Sequence, residues 1–228
     1  NVQGPNSRAL LQSITSADLS NEAFPFRTSR EIDIGYARVQ CNRITYVGEL
    51  GYELYIPAEL ACHVYLTLWN AGKELGVANA GYRAINSLHF EKGYANWASD
   101  LTPEYNPYDA GLGFCVALNK GEFIGREALV KIKEKGPKWR LCSFTIEADE
   151  PVMLRGSEPI AYKGKVIGTT TGGGYGYTVG KTIAYGYVPV ADAKHDDGYE
   201  IEVYKEVYPA KREANRALYD PERKKILS

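Results

Sequence analysis

Histidine and cysteine are scarce in this chain: three of the first and four of the second among 228 residues. Cys41, Cys62, Cys115 and Cys142 stand far apart and form no C-x-x-C pair, so the ligand cluster of a zinc site is not expected. They read as reduced, mostly buried thiols of an intracellular compartment, with two disulfides as the alternative. No run of about 20 apolar residues occurs, which leaves no membrane-spanning helix to expect. Nothing near Asn1 has the pattern of a signal peptide. No excess of one charge is present either, since 27 basic against 28 acidic residues give a net charge of -1. No basic block is interleaved with aromatics, so neither nucleic acid nor an anionic membrane is an expected partner.

What remains is ample for a core. With 44% hydrophobic and 24% charged residues, a chain of this length is expected to form two compact units. It opens without Met, at Asn1-Val2-Gln3-Gly4-Pro5, as if a strand were ending there, which suggests a fragment or a processed chain. Gly4-Pro5-Asn6-Ser7 is a turn with a good N-cap, and a short helix is expected from Ser7. Ile32 to Val39 alternates as a strand. Leu60, Val64, Leu68 and Leu75 recur at helical spacing and end at Gly76, an amphipathic helix with a glycine C-cap; His63 beside that stripe reads as a packed or surface histidine. A second helix is expected near Gly81, with Tyr82, Ile85, Leu88, His89 and Lys92 on one side. After a long loop from Tyr94 to Tyr108, Leu112 to Leu118 reads as a strand, and a further helix runs from Phe123 to the pair Gly136-Pro137. That pair is the expected domain boundary. Beyond it the helical period stops. Leu141 to Ile146, Pro159 to Tyr162, Lys165 to Thr170, Thr182 to Val188 and Tyr199 to Tyr208 are short β-prone runs between turns, the pattern of a small antiparallel barrel or sandwich. The fold class is therefore α+β over residues 1–136, followed by an antiparallel β domain over 137–228.

The densest signal is Tyr46-Val47-Gly48-Glu49-Leu50-Gly51-Tyr52-Glu53-Leu54-Tyr55-Ile56-Pro57. Asn42 to Val47 and Tyr52 to Ile56 are rich in β-branched and aromatic residues, and the glycines between them suit a hairpin turn. In the second run Tyr52, Leu54 and Ile56 share one face while Glu53 and Tyr55 share the other. Glu53 is then either solvated or held by a partner. A different stretch, Gly172 through Thr182, ends in Gly-Lys-Thr and invites a phosphate-loop reading. Its spacing fails, because Tyr175 stands where the first glycine belongs. The following Ile183-Ala184-Tyr185-Gly186-Tyr187-Val188 is also a strand rather than the helix that would hold phosphates. A glycine-rich β-turn accounts for it.

Taken together, Tyr46 to Glu53, then Gly81-Tyr82-Arg83-Ala84-Ile85-Asn86-Ser87-Leu88-His89-Phe90-Glu91-Lys92, then Ile167 to Thr171 through Ile183 to Val188, resemble the T-protein (aminomethyltransferase) family of the glycine cleavage system. Gly48 to Pro57 and Glu91-Lys92-Gly93-Tyr94 look most like the C-terminal folate domains of sarcosine and dimethylglycine dehydrogenases. The likeness covers nearly the whole chain. It implies a partial folate-binding α+β domain followed by a C-terminal β-barrel. It also implies tetrahydrofolate as cofactor, with Tyr46, Glu53 and Arg83 matching the family's folate-contacting Tyr, Glu and Arg. An ionised carboxylate is acceptor-only, so Glu53 can take two pterin N–H groups. Tyr46 can stack on the ring or hydrogen-bond it, and Arg83 either holds an anionic part of folate or orients a carboxylate.

Two parts of the family pattern fall outside these residues: the proposed catalytic Asp, expected upstream of Asn1, and the flavin domain that would carry FAD. The catalytic residue is thus unassigned. The resemblance implies an enzyme portion that captures the one-carbon unit of an N-methyl amine as 5,10-methylene-tetrahydrofolate. Its alternatives are a non-catalytic module like the regulatory subunit of pyruvate dehydrogenase phosphatase, or a stand-alone aminomethyltransferase. Eukaryotic relatives imply the mitochondrial matrix and bacterial ones the cytoplasm.

Overall fold

The computed structural model describes all 228 residues. They pack as two compact units, Asn1–His89 with Asp220–Ser228, and Phe90–Tyr219. This division by packing differs from the one at Gly136-Pro137, since residues 90–136 pack with the β-rich part and the last nine residues return to the first unit.

In the first unit, β1 (Val2–Gln3) leads through a turn into α1 (Ser7–Gln12). No side chain caps this helix. Asn6, the expected cap, instead donates its Nδ2 to the Leu75 carbonyl at 3.2 Å, and the Ser7 hydroxyl donates to the Leu50 carbonyl at 3.1 Å. The expected single strand from Ile32 to Val39 is two strands. Gly35, with φ of +59°, turns the chain between β2 (Ser29–Ile34) and β3 (Ala37–Asn42). Ala37, Val39 and Cys41 face the core while Arg38 and Gln40 face out, a period of two. β4 (Gly51–Tyr55) pairs antiparallel with β3 and with β1, giving the order β1-β4-β3-β2.

The hairpin read at residues 42–56 is therefore shifted: its first arm is β3, and residues 43–50 form a loop. Tyr52, Leu54 and Ile56 do join one core, with Leu11, Phe24, Val39 and Val64. α2 (Ala61–Gly72) lays Val64 and Leu68 on that core, and the chain leaves it through Gly76 in the left-handed conformation, φ +75°. His63 is a packed histidine, stacked on Tyr36 at 3.6 Å between ring centroids. The last residues form one helical turn, Lys224–Leu227, whose Ile226 is buried. Asp220 caps it by accepting from the backbone N–H groups of Lys224 and Lys225 at 2.8 and 3.2 Å.

α3 (Tyr82–Lys92) begins exposed and ends buried; its last residues belong to the second unit. There the expected strand over Leu112 to Leu118 is absent. Gly111 turns with φ +74°, and a short 3-10 turn at Gly113–Cys115 closes on the Leu112 and Gly113 carbonyls, so this segment has spent its local hydrogen bonds without a strand partner. α4 (Arg126–Lys135) follows.

The remainder is a closed antiparallel barrel of six strands, β5 (Trp139–Ile146), β6 (Pro159–Tyr162), β7 (Lys165–Gly176), β8 (Lys181–Pro189), β9 (Tyr199–Val203) and β10 (Glu206–Arg212), in the order β10-β5-β8-β7-β6-β9. Tyr199 to Tyr208 is two strands, because Tyr204 and Lys205 both take left-handed φ and turn the chain. β7 continues past Thr170 to Gly176, so most of the glycines read as a turn lie within a strand. β8 is buried on both faces. Ala184 and Val188 point to a core with Phe144, Ile160 and Ile201, while Ile183, Tyr185 and Tyr187 meet Phe90 and Leu141.

All four cysteines are free thiols. Cys41 and Cys142 are buried, whereas Cys62 and Cys115 are exposed, so half rather than most are covered.

Candidate functional site: a polar strand edge and a stacked tyrosine

The carboxylate singled out in the hairpin signal lies on β4. Glu53 pairs in register with Asn42 of β3, and directly opposed residues of an antiparallel pair hold their side chains within about 5 Å on the same face. Glu53 is half-buried, and Tyr55, two residues along, donates its hydroxyl to Glu53 Oε2 at 3.3 Å. Asn42 presents a buried amide oxygen with no hydrogen-bond partner. A buried acceptor left unmet is costly, and it is the kind of group a ligand donor satisfies. The pair therefore offers an anionic acceptor and a neutral acceptor on one strand face.

Tyr46 lies on the 43–50 loop rather than in a strand, because β3 stops at Asn42. The loop is held locally: Thr45 shares a hydrogen bond with Gln3 Oε1 at 3.1 Å, and the Val47 N–H donates to Thr45 Oγ1 at 3.3 Å. The Tyr46 ring stacks on that of His89, 5.1 Å between centroids and 22° between planes. His89 is 1% exposed, so the support beneath Tyr46 is fixed inside the protein.

Arg83 stands on the first turn of α3, exposed to solvent. No ion pair joins it to Glu53. Each of the three expected residues thus has its own setting: Glu53 faces Asn42 and Tyr46 faces His89, while Arg83 is held by neither. Two functional candidates escaped sequence reading. Asn42 was the first residue of a presumed strand, with no signal that its amide oxygen would be left over. His89 read as one of five residues on a helix face, and its i+4 relation to Ile85 was the only hint of burial.

A cleft of about 560 Å³ also opens in this unit, between residues 1–10, the end of α2, residues 75–80 and Ala84, Ile85 and Leu88 of α3. None of Tyr46, Glu53 or Arg83 lines it. Its walls are mainly apolar, with Val47, Leu68, Trp69 and Val77 among them, beside Gln3, Glu49 and Asn79.

Elsewhere the titratable groups displaced from their ordinary values are structural. Burial pushes the Cys41 thiol up to about 12 and the Cys142 thiol up to about 11. Both thiols therefore stay protonated and poorly nucleophilic near neutrality.

Known proteins share this fold. The GCVT N-terminal domain model matches residues 1–120, and the model of the glycine cleavage T-protein C-terminal barrel domain matches residues 140–220. Mitochondrial dimethylglycine dehydrogenase of Rattus norvegicus is 42% identical over 92% of this chain and 24% of its own length. Mitochondrial sarcosine dehydrogenase of Mus musculus is 41% identical over 99% of this chain and 25% of its own length. The chain thus spans about a quarter of the length of these curated relatives. The crystal structure of glycine cleavage system aminomethyltransferase T from Bartonella henselae superposes with a TM-score of 0.82 at 26% identity, covering 96% of this chain and 58% of that one. With a family model matching more than half of its residues and the six-stranded barrel in place behind it, the chain belongs to the aminomethyltransferase, or glycine cleavage T-protein, family.

Proposed function

We propose that this chain is the tetrahydrofolate-binding portion of a longer demethylating dehydrogenase of the sarcosine and dimethylglycine type. The observation that carries the reading is the acceptor edge where Glu53, on the stretch that most resembles the dehydrogenase folate domains, pairs with Asn42 and its unmet amide oxygen. Glu53 holds the pterin by two charge-assisted hydrogen bonds, Asn42 accepts a further donor, Tyr46 covers the ring, and Arg83 meets an anionic part of folate or a carboxylate. When bound, tetrahydrofolate supplies N5 and N10 as the acceptor of the one-carbon unit, giving 5,10-methylene-tetrahydrofolate. Holding that acceptor close to where the unit is released raises its effective concentration and limits loss of formaldehyde. The oxidation that releases the unit, with its FAD, belongs to a separate flavin domain of the longer protein. Gly136-Pro137 divides the folate-binding module from the barrel module, and the two family-model matches end and begin on either side of it. The mitochondrial location in both relatives' names supports the same compartment for this protein.

Calorimetric titration of the full-length protein with tetrahydrofolate tests this reading. Glu53→Gln is expected to raise Kd roughly 10- to 100-fold, the cost of one to two charge-assisted hydrogen bonds, with an unchanged melting curve. A wild-type protein that takes up no folate overturns the proposal.

A further inference from the structure

We infer that His89 is a positioning residue of this site, and that its buried ring is the platform on which Tyr46 is held for the pterin. The inference rests on the folate reading above. Tyr46 belongs to a loop, and a loop tyrosine that can rotate must be ordered each time a ligand binds, which weakens binding. Here the rotation is already restricted. One face of the Tyr46 ring lies on His89 at 5.1 Å between centroids and 22° between planes, an arrangement within the range preferred by aromatic pairs. Tyr46 itself is only half-buried.

The position on α3 suits this task. Residues 81–84 are exposed, 85–88 are half-buried and 89–92 are buried. His89 is therefore the first covered residue of the helix, and a flat side chain there is both immobile and at the margin of the site. This contact joins two backbone elements remote in sequence, the 43–50 loop and α3. His89 touches no pterin atom and acts through Tyr46.

The experiment is tetrahydrofolate titration of the full-length protein carrying His89→Ala, His89→Phe, Tyr46→Ala or the pair Tyr46→Ala with His89→Ala. His89→Ala is expected to raise Kd about 3- to 10-fold, the range of an aromatic pair or one ordered side chain. His89→Phe, which keeps the plane, is expected to stay within about 2-fold of wild type by the same argument. The double variant is expected to bind no more weakly than Tyr46→Ala alone, a non-additivity that a general loss of stability does not produce. Should His89→Ala not fold, His89→Leu takes its place, keeping bulk without the plane, with the same expected loss. Unchanged binding in His89→Ala overturns the inference and leaves the folate reading standing. Equal losses in His89→Phe and His89→Ala, or additive losses in the double variant, overturn it too. Failure of the wild type to bind folate removes the reading beneath it and is read separately, from the wild-type titration.

Discussion

A guanidinium cut off from water must find its acceptors in the chain, and Arg43 finds them far away. It is 1% exposed, with Nη1 donating to the Phe24 carbonyl at 2.8 Å and Nη2 to the Ser228 backbone oxygen at 2.9 Å. Its Nε has no partner, and burial lowers its pKa from the usual guanidinium value. Nothing in the sequence announces this, because the acceptors are 19 and 185 residues away and are backbone atoms that carry no side-chain signature. Glu53 was legible for the opposite reason, since the alternation of Tyr52, Leu54 and Ile56 fixes its face locally. Tyr46 was legible as a residue but not in its setting, because β3 ends at Asn42 and the β-branched residues that follow have no strand to pair with. Arg43→Met is expected to lower stability by about 2 kcal/mol, the cost of the Phe24 carbonyl left without its charged donor, since Arg8 Nη2 still donates to the Ser228 oxygen at 2.8 Å. Urea unfolding is the measurement, and a midpoint shift worth under about 1 kcal/mol rejects the role.

At the scale of elements, the strand pair β7–β8 shows what glycine does here. The sequence pattern suggests a turn for these glycines, since glycine commonly supplies left-handed φ. Gly172 to Gly176 are instead strand residues without positive φ, and the turn follows at residues 177–180. Two of them, Gly173 and Gly176, are small because other parts of the second unit lie against them. A Cβ on Gly173 would fall 2.2 Å from Leu154 Cδ1, and one on Gly176 would fall 2.8 Å from Glu91 Cγ. Glu91 is buried there, its Oε1 accepting from the Thr178 and Val179 N–H groups at 2.6 and 3.1 Å. The barrel itself was legible because its runs begin and end close to the observed strands. The close approaches were not, since they join segments distant in sequence. Two alanine substitutions separate these causes. Gly168→Ala would set its Cβ 2.0 Å from the Tyr187 carbonyl oxygen, a backbone atom that cannot swing away, whereas Gly172→Ala meets nothing nearer than Phe90 Cζ at 3.6 Å. Gly168→Ala is expected to cost about 3 kcal/mol or more, as overpacking does at the upper end. Gly172→Ala is expected to fall within about 1 kcal/mol of wild type, helped by the reduced entropy of its unfolded chain. Equal melting temperatures for the two variants contradict the steric account.

For the whole molecule, the buried thiols and phenols set a limit on the alkaline side. Cys41 lies in the first unit; Cys142 and Tyr199 lie in the second. Burial raises all three above their ordinary values, to about 12, 11 and 12, with Arg30 near Cys41 and Arg212 near both of the others pulling partly in the opposite direction. In the unfolded chain, thiols ionise near pH 8.5 and phenols near pH 10. A group whose folded pKa is raised stabilises fully below its unfolded value, and that stability is lost as pH climbs through the folded value. Stability is therefore expected to be level, as far as these groups are concerned, below about pH 8 and to fall from there to about pH 12. Each group still protonated in the folded state but ionised in the unfolded state adds a slope of about 1.4 kcal/mol per pH unit. Urea midpoints at pH 8, 10 and 11 read the slope directly. Cys41→Val keeps an apolar side chain of similar size while removing one titrating group, so its stability is expected to decline less steeply than that of wild type. Tyr199→Phe is expected to flatten the line only above about pH 10, where the phenol of the unfolded chain begins to ionise. At every pH it also lacks the hydrogen bonds that the Tyr199 hydroxyl donates to the Asp192 and His195 carbonyls. A slope identical to wild type in both variants shows that the alkaline limit lies with other groups.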